Sequence, residues 1–246
     1  MELEAATRRF RLKKILFSGR FHLWFRGLRC AALRRDLSSA RWSDDPPQLE
    51  ALVGRFVAHL ESYCAELDPV WTLSAPWASP AERGAAYWLA GWRPTTLVHL
   101  LYTESGRRFE AQLPDLLLGV RSGNLGDLSP AQLAQVDELQ RRTVAEEDAL
   151  SREMAEVQEG RGVAVAPAPP GGGGGGGELE LELDVRGLVR RVRSVLDRAD
   201  ALRLRTMKRA VEILQPAQAA ELLIAAADME IGFREFGLNY GSGRDK

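Results

Sequence analysis

Apolar residues recur at intervals of three and four along most of this 246-residue chain, with polar residues between them. This spacing places the apolar side chains on one stripe of an α-helix. Clear stripes lie in residues 17–28, 48–66, 130–158 and 185–214. Residues 178–184 alternate acid and leucine like a strand, but a single strand has no partner here, so we interpret them as the approach to the next helix. The pattern predicts an all-α protein.

Serine–proline and glycine signals indicate where several helices begin and end. Ser79 and Ser129 each precede a proline, which is typical of an N-cap followed by the first helical residue. They predict helices from Pro80 to about Ala90 and from Pro130 to about Gln158. A last helix is predicted from Pro216 to Gly237.

The tryptophans are concentrated in the first part of the chain, where all six lie at or before position 92. Gly91 and Pro94 interrupt the helical pattern, and a new helix is predicted from Thr95. Trp88 and Trp92 would then pack at a helix-turn-helix corner, because side chains of this size bury about 150–250 Å² each. Arg93, between Trp92 and Pro94, is expected to face a partner or a carboxylate.

The two longest predicted helices carry opposite charge. Residues 137–159 contain eight acids and three arginines, whereas residues 184–212 contain nine bases and four acids. We expect them to pack as an antiparallel pair, with carboxylates such as Glu146 and Glu147 in solvent. Between them, residues 160–178 are rich in Ala, Pro and Gly, including seven consecutive glycines, which predicts a disordered insertion. The predicted fold is a helical bundle with long antiparallel helices.

Residues that could carry catalysis or bind a metal are sparse. The three histidines, His22, His59 and His99, lie far apart on apolar stretches, and Cys30 and Cys64 have no motif around them. The glycine run lacks the Gly-Lys-Ser/Thr that a phosphate-binding loop requires. No run of about 18 apolar residues predicts a membrane span. We therefore expect no catalytic, metal or cofactor site, and the nucleus or cytoplasm as the compartment.

A basic aromatic segment near the start of the chain is the first candidate binding element. Residues 8–35 contain ten Lys or Arg and no acid, and Phe17, Phe21, Trp24 and Leu28 share one helical stripe. This combination is similar to a calmodulin target or a membrane-surface helix. The alternative is that the stripe docks this helix onto the bundle and leaves the arginines in solvent.

The arginine-rich stretch 186–209 is the second candidate, since its cations could contact phosphates. The alternative is a solvated face that matches the acidic helix. A zipper-type basic region needs an asparagine among its arginines, but the two asparagines of the chain are Asn124 and Asn239. Sequence-specific DNA binding of that type is therefore excluded.

Several short stretches, in order, make the chain similar to the plant Delay of Germination domain, which also follows the zipper in TGA-type bZIP transcription factors. They are Phe21-His-Leu-Trp24, Ala86-Tyr-Trp-Leu-Ala-Gly-Trp-Arg-Pro-Thr-Thr96, Leu128-Ser-Pro-Ala-Gln132, Met154-Ala-Glu-Val-Gln158, Ala199-Asp-Ala-Leu-Arg203 and Ile213-Leu-Gln-Pro-Ala-Gln-Ala-Ala220. The resemblance spans roughly residues 21–237. The ending of this span is most similar to the stand-alone members.

The resemblance implies a role in seed dormancy and abscisic-acid signalling. It implies a non-enzymatic interaction module whose partners are type-2C protein phosphatases or transcription regulators, with calmodulin as a further candidate. The alternative is a transcription-associated, DNA-binding regulator that acts through residues 186–209. Haem binding in the family involves histidines near the C-terminus, and this chain has none after His99, so no haem is expected.

These observations predict the following organisation. Residues 1–20 form a basic N-terminal segment, residues 21–237 the Delay of Germination-type domain, and residues 238–246 a tail. Self-association is left open. The partner-binding candidates are Phe17, Phe21, Trp24, Arg93, Arg203 and Arg205.

Overall fold

A computed structural model describes residues 32–40, 45–66, 70, 73, 75, 78–160 and 185–242 of the chain. Helices dominate these residues, which confirms the predicted all-α class. In chain order the elements are α1 (Ala32–Ala40), α2 (Pro46–Glu66), α3 (Pro80–Ala86), β1 (Tyr87–Trp88), β2 (Gly91–Trp92), α4 (Pro94–Ala111), α5 (Leu113–Leu117), a 3₁₀ turn (Leu125–Asp127), α6 (Pro130–Gln158), α7 (Val185–Ile213) and α8 (Pro216–Ser242). None of the described helices is long and apolar enough to cross a membrane.

Both serine caps form as predicted. The Ser79 hydroxyl accepts a hydrogen bond from the Glu82 amide at 3.2 Å, and the Glu82 carboxylate accepts one from the Ser79 amide at 3.2 Å. Ser129 and Gln132 make the same reciprocal pair at the start of α6. Each pair satisfies amides that the first turn of a helix leaves without an intrahelical acceptor.

The main core lies where α1, α2, α4 and α8 pack together with the end of α7. Leu37, Phe56, Leu101 and Leu222 are among its fully buried side chains. The predicted face of α2 is largely confirmed, because Leu49, Leu52, Val53 and Phe56 are all buried. A second, smaller core joins α6 to α7 through Leu150, Met154, Val195, Leu196, Ala199 and Leu202.

The predicted antiparallel pairing of the two long helices is confirmed. Glu153 of α6 pairs with Arg198 of α7, and Glu146 pairs with Arg205, whose Nη2 lies 2.5 Å from the carboxylate. The residue number decreases from 153 to 146 along α6 while that of the partner increases from 198 to 205 along α7, as two antiparallel helices require. Exposed ion pairs of this kind contribute about 0–1 kcal/mol each, so the shared apolar stripe supplies most of the stability.

Three sequence predictions about these helices are wrong. The helix that begins at Pro80 ends at Ala86 instead of Ala90, and a short β-hairpin follows it. The last helix continues past Gly237 to Ser242. Leu133 belongs to the apolar stripe predicted in residues 130–158 but is exposed. The side chain that turns inward at the start of α6 is Gln132, which donates hydrogen bonds to the Ile213 carbonyl and the Gln218 side chain.

Gly237 has a packing role near the C-terminal end of α8. A Cβ atom at this position would lie 2.7 Å from the Ser79 hydroxyl and 2.8 Å from a Glu82 carboxylate oxygen. The glycine therefore lets α8 pass close to the capping box of α3. The predicted stripe of residues 17–28 lies outside the described residues, and so does the predicted insertion of residues 160–178 except for Gly160.

Candidate interaction site

A six-residue hairpin, Tyr87–Trp92, stands between α3 and α4. Tyr87 pairs with Trp92 and Trp88 with Gly91, so Leu89 and Ala90 form a two-residue loop. Both loop residues have a positive φ, 44° and 70°. Such loops favour Gly, Asn or Asp. A residue with a side chain in this conformation costs on the order of 1–3 kcal/mol, which the surroundings must offset.

Arg203 of α7 supplies the contacts that hold this loop. Its Nε donates to the Trp92 carbonyl at 2.7 Å, and its Nη2 donates to the carbonyls of Leu89, at 2.8 Å, and Trp88. Nη1 pairs with Asp200 at 2.5 Å, and the residue as a whole is only 3% exposed. A Cβ at Gly91 would come within 3.0 Å of the guanidinium, so glycine allows the close approach.

The Trp88 ring connects the hairpin to the α6–α7 pair. Its indole Nε1 donates a hydrogen bond to the Ser151 hydroxyl of α6 at 2.9 Å. The guanidinium carbons of Arg93 and Arg203 lie 5.6 and 5.5 Å from the ring centroid, within cation–π range. Trp88 and Trp92 are partly buried and pack against different cores. The tryptophans thus pack as predicted, although the corner is a hairpin.

Glu147 of α6 caps α4 from outside that helix. One carboxylate oxygen accepts from the Thr95 amide at 2.6 Å, the other from the Thr95 hydroxyl at 3.1 Å, and Arg93 lies 3.8 Å away. The N-cap residue, Arg93, makes no side-chain cap of its own. An anion at this end of a helix also interacts favourably with the helix dipole.

The prediction that Glu147 is solvated is wrong. The residue is 2% exposed, and burial raises the pKa of its carboxyl despite the opposing hydrogen bonds from Thr95 and the nearby Arg93. The sequence did contain a signal. The buried stripe of α6 includes Thr143 and Leu150, and Glu147 occupies the position between them at 4-3 spacing.

An exposed apolar surface lies at the end of α4 and along α5. We call it the α4–α5 patch. Leu117 and Leu118 are each 80% exposed, and the other large apolar side chains of the patch are Phe109, Leu113 and Val120. Exposed large apolar side chains that lie this close together along the chain are typical of interaction sites.

The backbone after α5 keeps this patch in solvent. Gly119 has a φ of 79°, its amide donates to the Leu116 carbonyl at 3.0 Å, and the Val120 amide donates to the Asp115 carbonyl at 2.9 Å. This is a Schellman ending, in which the residue at the place of Val120 usually contacts an apolar residue at the place of Asp115. Because Asp115 is charged, it does not provide an apolar partner for Val120.

Comparisons with known proteins show which families this chain is similar to. A family model described as seed dormancy control, DOG1, matches residues 29–103. Protein DOG1-like 3 of Arabidopsis thaliana is 29% identical over 219 residues, which are 83% of this chain and 77% of that protein. Protein DOG1-like 2 of Arabidopsis thaliana is 26% identical over 218 residues, 83% of this chain and 82% of that protein.

Transcription factor TGAL1 of Oryza sativa subsp. japonica is also similar, with 27% identity over 224 residues that make up 80% of this chain and 43% of that factor. The predicted resemblance to the Delay of Germination family is confirmed. The names of these relatives indicate dormancy-related proteins and transcription factors, and none of them indicates an enzyme family.

The Delay of Germination match covers α1 to the first half of α4, so it includes the hairpin, Arg93 and Thr95. Glu147 and Arg203, which hold these residues from α6 and α7, follow the matched range. The hairpin is thus supported from parts of the chain that lie more than 50 positions away.

The structure places the predicted partner-binding residues in different surroundings. Phe17, Phe21 and Trp24 lie outside the described residues. Arg93 has a side chain that is 49% exposed, and it faces the Glu147 carboxylate, as expected of it. Arg205 is exposed and pairs with Glu146. Partner binding by these residues stays a prediction. Arg203, in contrast, is buried, and its contacts give it an internal positioning role instead of a surface one.

Much of the arginine-rich helix is paired within the chain. Arg198 and Arg205 contact acids of α6, Lys208 pairs with Glu61 of α2, and Arg209 donates to Glu212 and Gln135. Together with Arg203, at least five of the nine bases in residues 184–212 therefore make contacts inside the protein. These contacts favour the interpretation in which this face matches the acidic helix.

The described histidines and cysteine do not converge. His59 is half-buried, which lowers its pKa, whereas His99 is exposed. Burial raises the pKa of the Cys64 thiol to about 12, so the reactive thiolate is scarce near neutral pH. Within the described residues, no three His, Cys, Asp or Glu side chains lie close enough together to hold a metal ion.

Proposed function

We propose that this chain is a non-enzymatic regulatory module for seed dormancy, located in the nucleus or cytoplasm, that works by binding other proteins. Its expected partners are type-2C protein phosphatases of abscisic-acid signalling, or transcription regulators, with calmodulin as a further candidate. The similarity to DOG1-like proteins and to TGA factors supports the regulatory role. The α4–α5 patch is the observation that supports binding of a protein.

The patch has the properties of a protein-binding surface. Leu117 and Leu118 present two large apolar side chains to solvent on a backbone that the Schellman hydrogen bonds fix. Burying such side chains in a partner's groove removes apolar area from water, which contributes about 25 cal/mol per Å². Nearby charges of both signs, such as Asp115 and Arg121, can orient the partner at the rim.

The test is the affinity of the full chain for a purified type-2C phosphatase, measured by surface plasmon resonance. Replacing Leu117 and Leu118 together with Asp places charges in the centre of the patch, so we expect Kd to rise by about tenfold or more, equivalent to about 1.4 kcal/mol. Val144→Asp is the matched control. Val144 is also an exposed apolar helix residue, but it lies on α6, away from the patch.

Salt concentration separates this function from binding to nucleic acid. An apolar protein interface should keep its Kd within a few-fold between about 50 and 200 mM salt, whereas binding through several phosphates weakens by orders of magnitude. Equal loss of affinity in the patch and Val144 variants would contradict the role of the patch. Tight, strongly salt-dependent binding to duplex DNA, without phosphatase binding, would contradict the proposed function.

A further inference from the structure

An open apolar pocket lies between α2, α7 and α8, below the second strand of the hairpin. Eight of the nine described lining residues are apolar, among them Phe56, Leu60, Trp92, Met207, Ala226 and Met229. Among the described lining residues, the charged one is the acid Glu230. Methionines adapt their shape to what they contact, so such a pocket suits a bulky apolar group. The pocket and the α4–α5 patch have no residue in common.

The basic aromatic segment is connected to the rim of this pocket. It leads into α1, which packs on α2 and α8, the helices that supply most of the lining. Arg34, in the first turn of α1, donates from Nε and Nη2 to the two Asp228 oxygens at 2.8 Å each. Asp228 is the neighbour of Met229 along the chain. Four chain positions lead from Leu28 to Ala32, the first residue of α1, and an extended chain of that length reaches about 14 Å.

Composition also matches the segment to the pocket. Phe17, Phe21, Trp24 and Leu28 recur at helical spacing, so they would present one apolar stripe. Residues 8–31, which precede α1, contain eight Lys or Arg and no acid, and this charge suits a pocket whose charged lining residue among those described is a carboxylate. We propose that the aromatic stripe of residues 17–28 binds in this pocket of its own chain.

In this arrangement, the pocket and an external partner would compete for the basic aromatic segment. The stripe cannot bind in the pocket and in a groove of a second protein at the same time. A partner that captures the basic aromatic segment therefore exposes the pocket. The inference stands whether or not a phosphatase binds the α4–α5 patch, so the two proposals can fail separately.

Photo-crosslinking of the full chain tests the contact directly. A benzophenone amino acid replaces Trp24, the protein is irradiated at low micromolar concentration, and the crosslinked peptides are identified by mass spectrometry. We expect crosslinks within one chain to peptides that contain Phe56, Leu60 or Met229. The control carries the same group at Arg26. Positions two residues apart on a helix differ by about 200°. On the predicted helix, position 26 is therefore opposite the stripe, and we expect it to crosslink to these peptides at least several-fold less.

A pocket variant gives a second measurement. Met229→Arg puts a cation where the basic segment is proposed to bind, and crosslinking from position 24 should fall several-fold. Val144→Arg, on α6, adds the same charge to a helix that does not line the pocket and should leave the yield unchanged. Circular dichroism and the Tm confirm that each variant is folded. Crosslinks that join two chains, map to the α4–α5 patch, or are equally frequent from positions 24 and 26 would overturn the proposal.

Discussion

Replacing Arg203 with methionine keeps a long, flexible side chain in the α7 stripe but removes every hydrogen bond to the hairpin. The carbonyls of Trp88, Leu89 and Trp92 lose their donor, and Asp200 loses its partner. Breaking a buried ion pair by removing one partner costs about 3–5 kcal/mol. Asp200 keeps 29% of its side chain exposed, so water can relieve part of this cost. We therefore expect a loss of about 3–4 kcal/mol in the free energy of unfolding.

Urea denaturation followed by circular dichroism measures this change, because a domain of this size has about 5–15 kcal/mol of total stability. The double variant Arg203→Met/Asp200→Asn separates the two contributions. It should recover part of the loss, since the unpaired carboxylate is then neutral, and a double-mutant cycle gives the coupling between the two residues. A loss below about 1 kcal/mol for Arg203→Met would refute the claim that this residue holds the hairpin.

Three further changes test the contacts around the hairpin and the α3 cap. Burial raises the pKa of Glu147 above its ordinary 4.5, so the folded state binds this proton more tightly than the unfolded state does. The contribution of Glu147 to the free energy of unfolding therefore falls as the pH rises above that value. Glu147→Gln should flatten this fall in a series of denaturation curves from acid to neutral pH; a steeper fall in the variant would show that the sign is wrong. Ala90→Gly should raise the free energy of unfolding by about 0.5–1 kcal/mol, because it relieves a positive φ, whereas Ala134→Gly in α6 should lower it by about 1 kcal/mol. Gly237→Ala should lower the Tm, because the added methyl group contacts the α3 cap at a cost of about 1–3 kcal/mol. Gly232→Ala on the same helix has open space around it and should raise the Tm. Equal shifts in the two variants would contradict the packing role of Gly237.

The local signals in the sequence predicted the helices well. Ser79 and Ser129 start helices because their caps depend on residues three positions away, and the apolar stripes of α2 and α7 depend on spacing within one helix. The opposite charges of residues 137–159 and 184–212 predicted the antiparallel pair for a similar reason. Each helix carries its own half of the pattern.

The hairpin and its supports could not be predicted in the same way. Leu89 and Ala90 are ordinary helix formers, and their positive φ angles are maintained by Arg203, more than 110 positions later. Glu147 is buried because Thr95, 52 positions earlier, offers it an amide and a hydroxyl. The sequence pattern predicts that polar residues inside an apolar stripe face solvent, because it does not show which buried donor or acceptor they meet.

Hydrogen–deuterium exchange of the full chain, with and without a saturating purified type-2C phosphatase, tests most directly whether a surface performs the function of this protein. We predict that binding slows amide exchange in residues 113–120 and leaves the described part of α7 unchanged, because the partner covers the α4–α5 patch. Unchanged exchange in residues 113–120, at a concentration where the complex forms, would contradict the account.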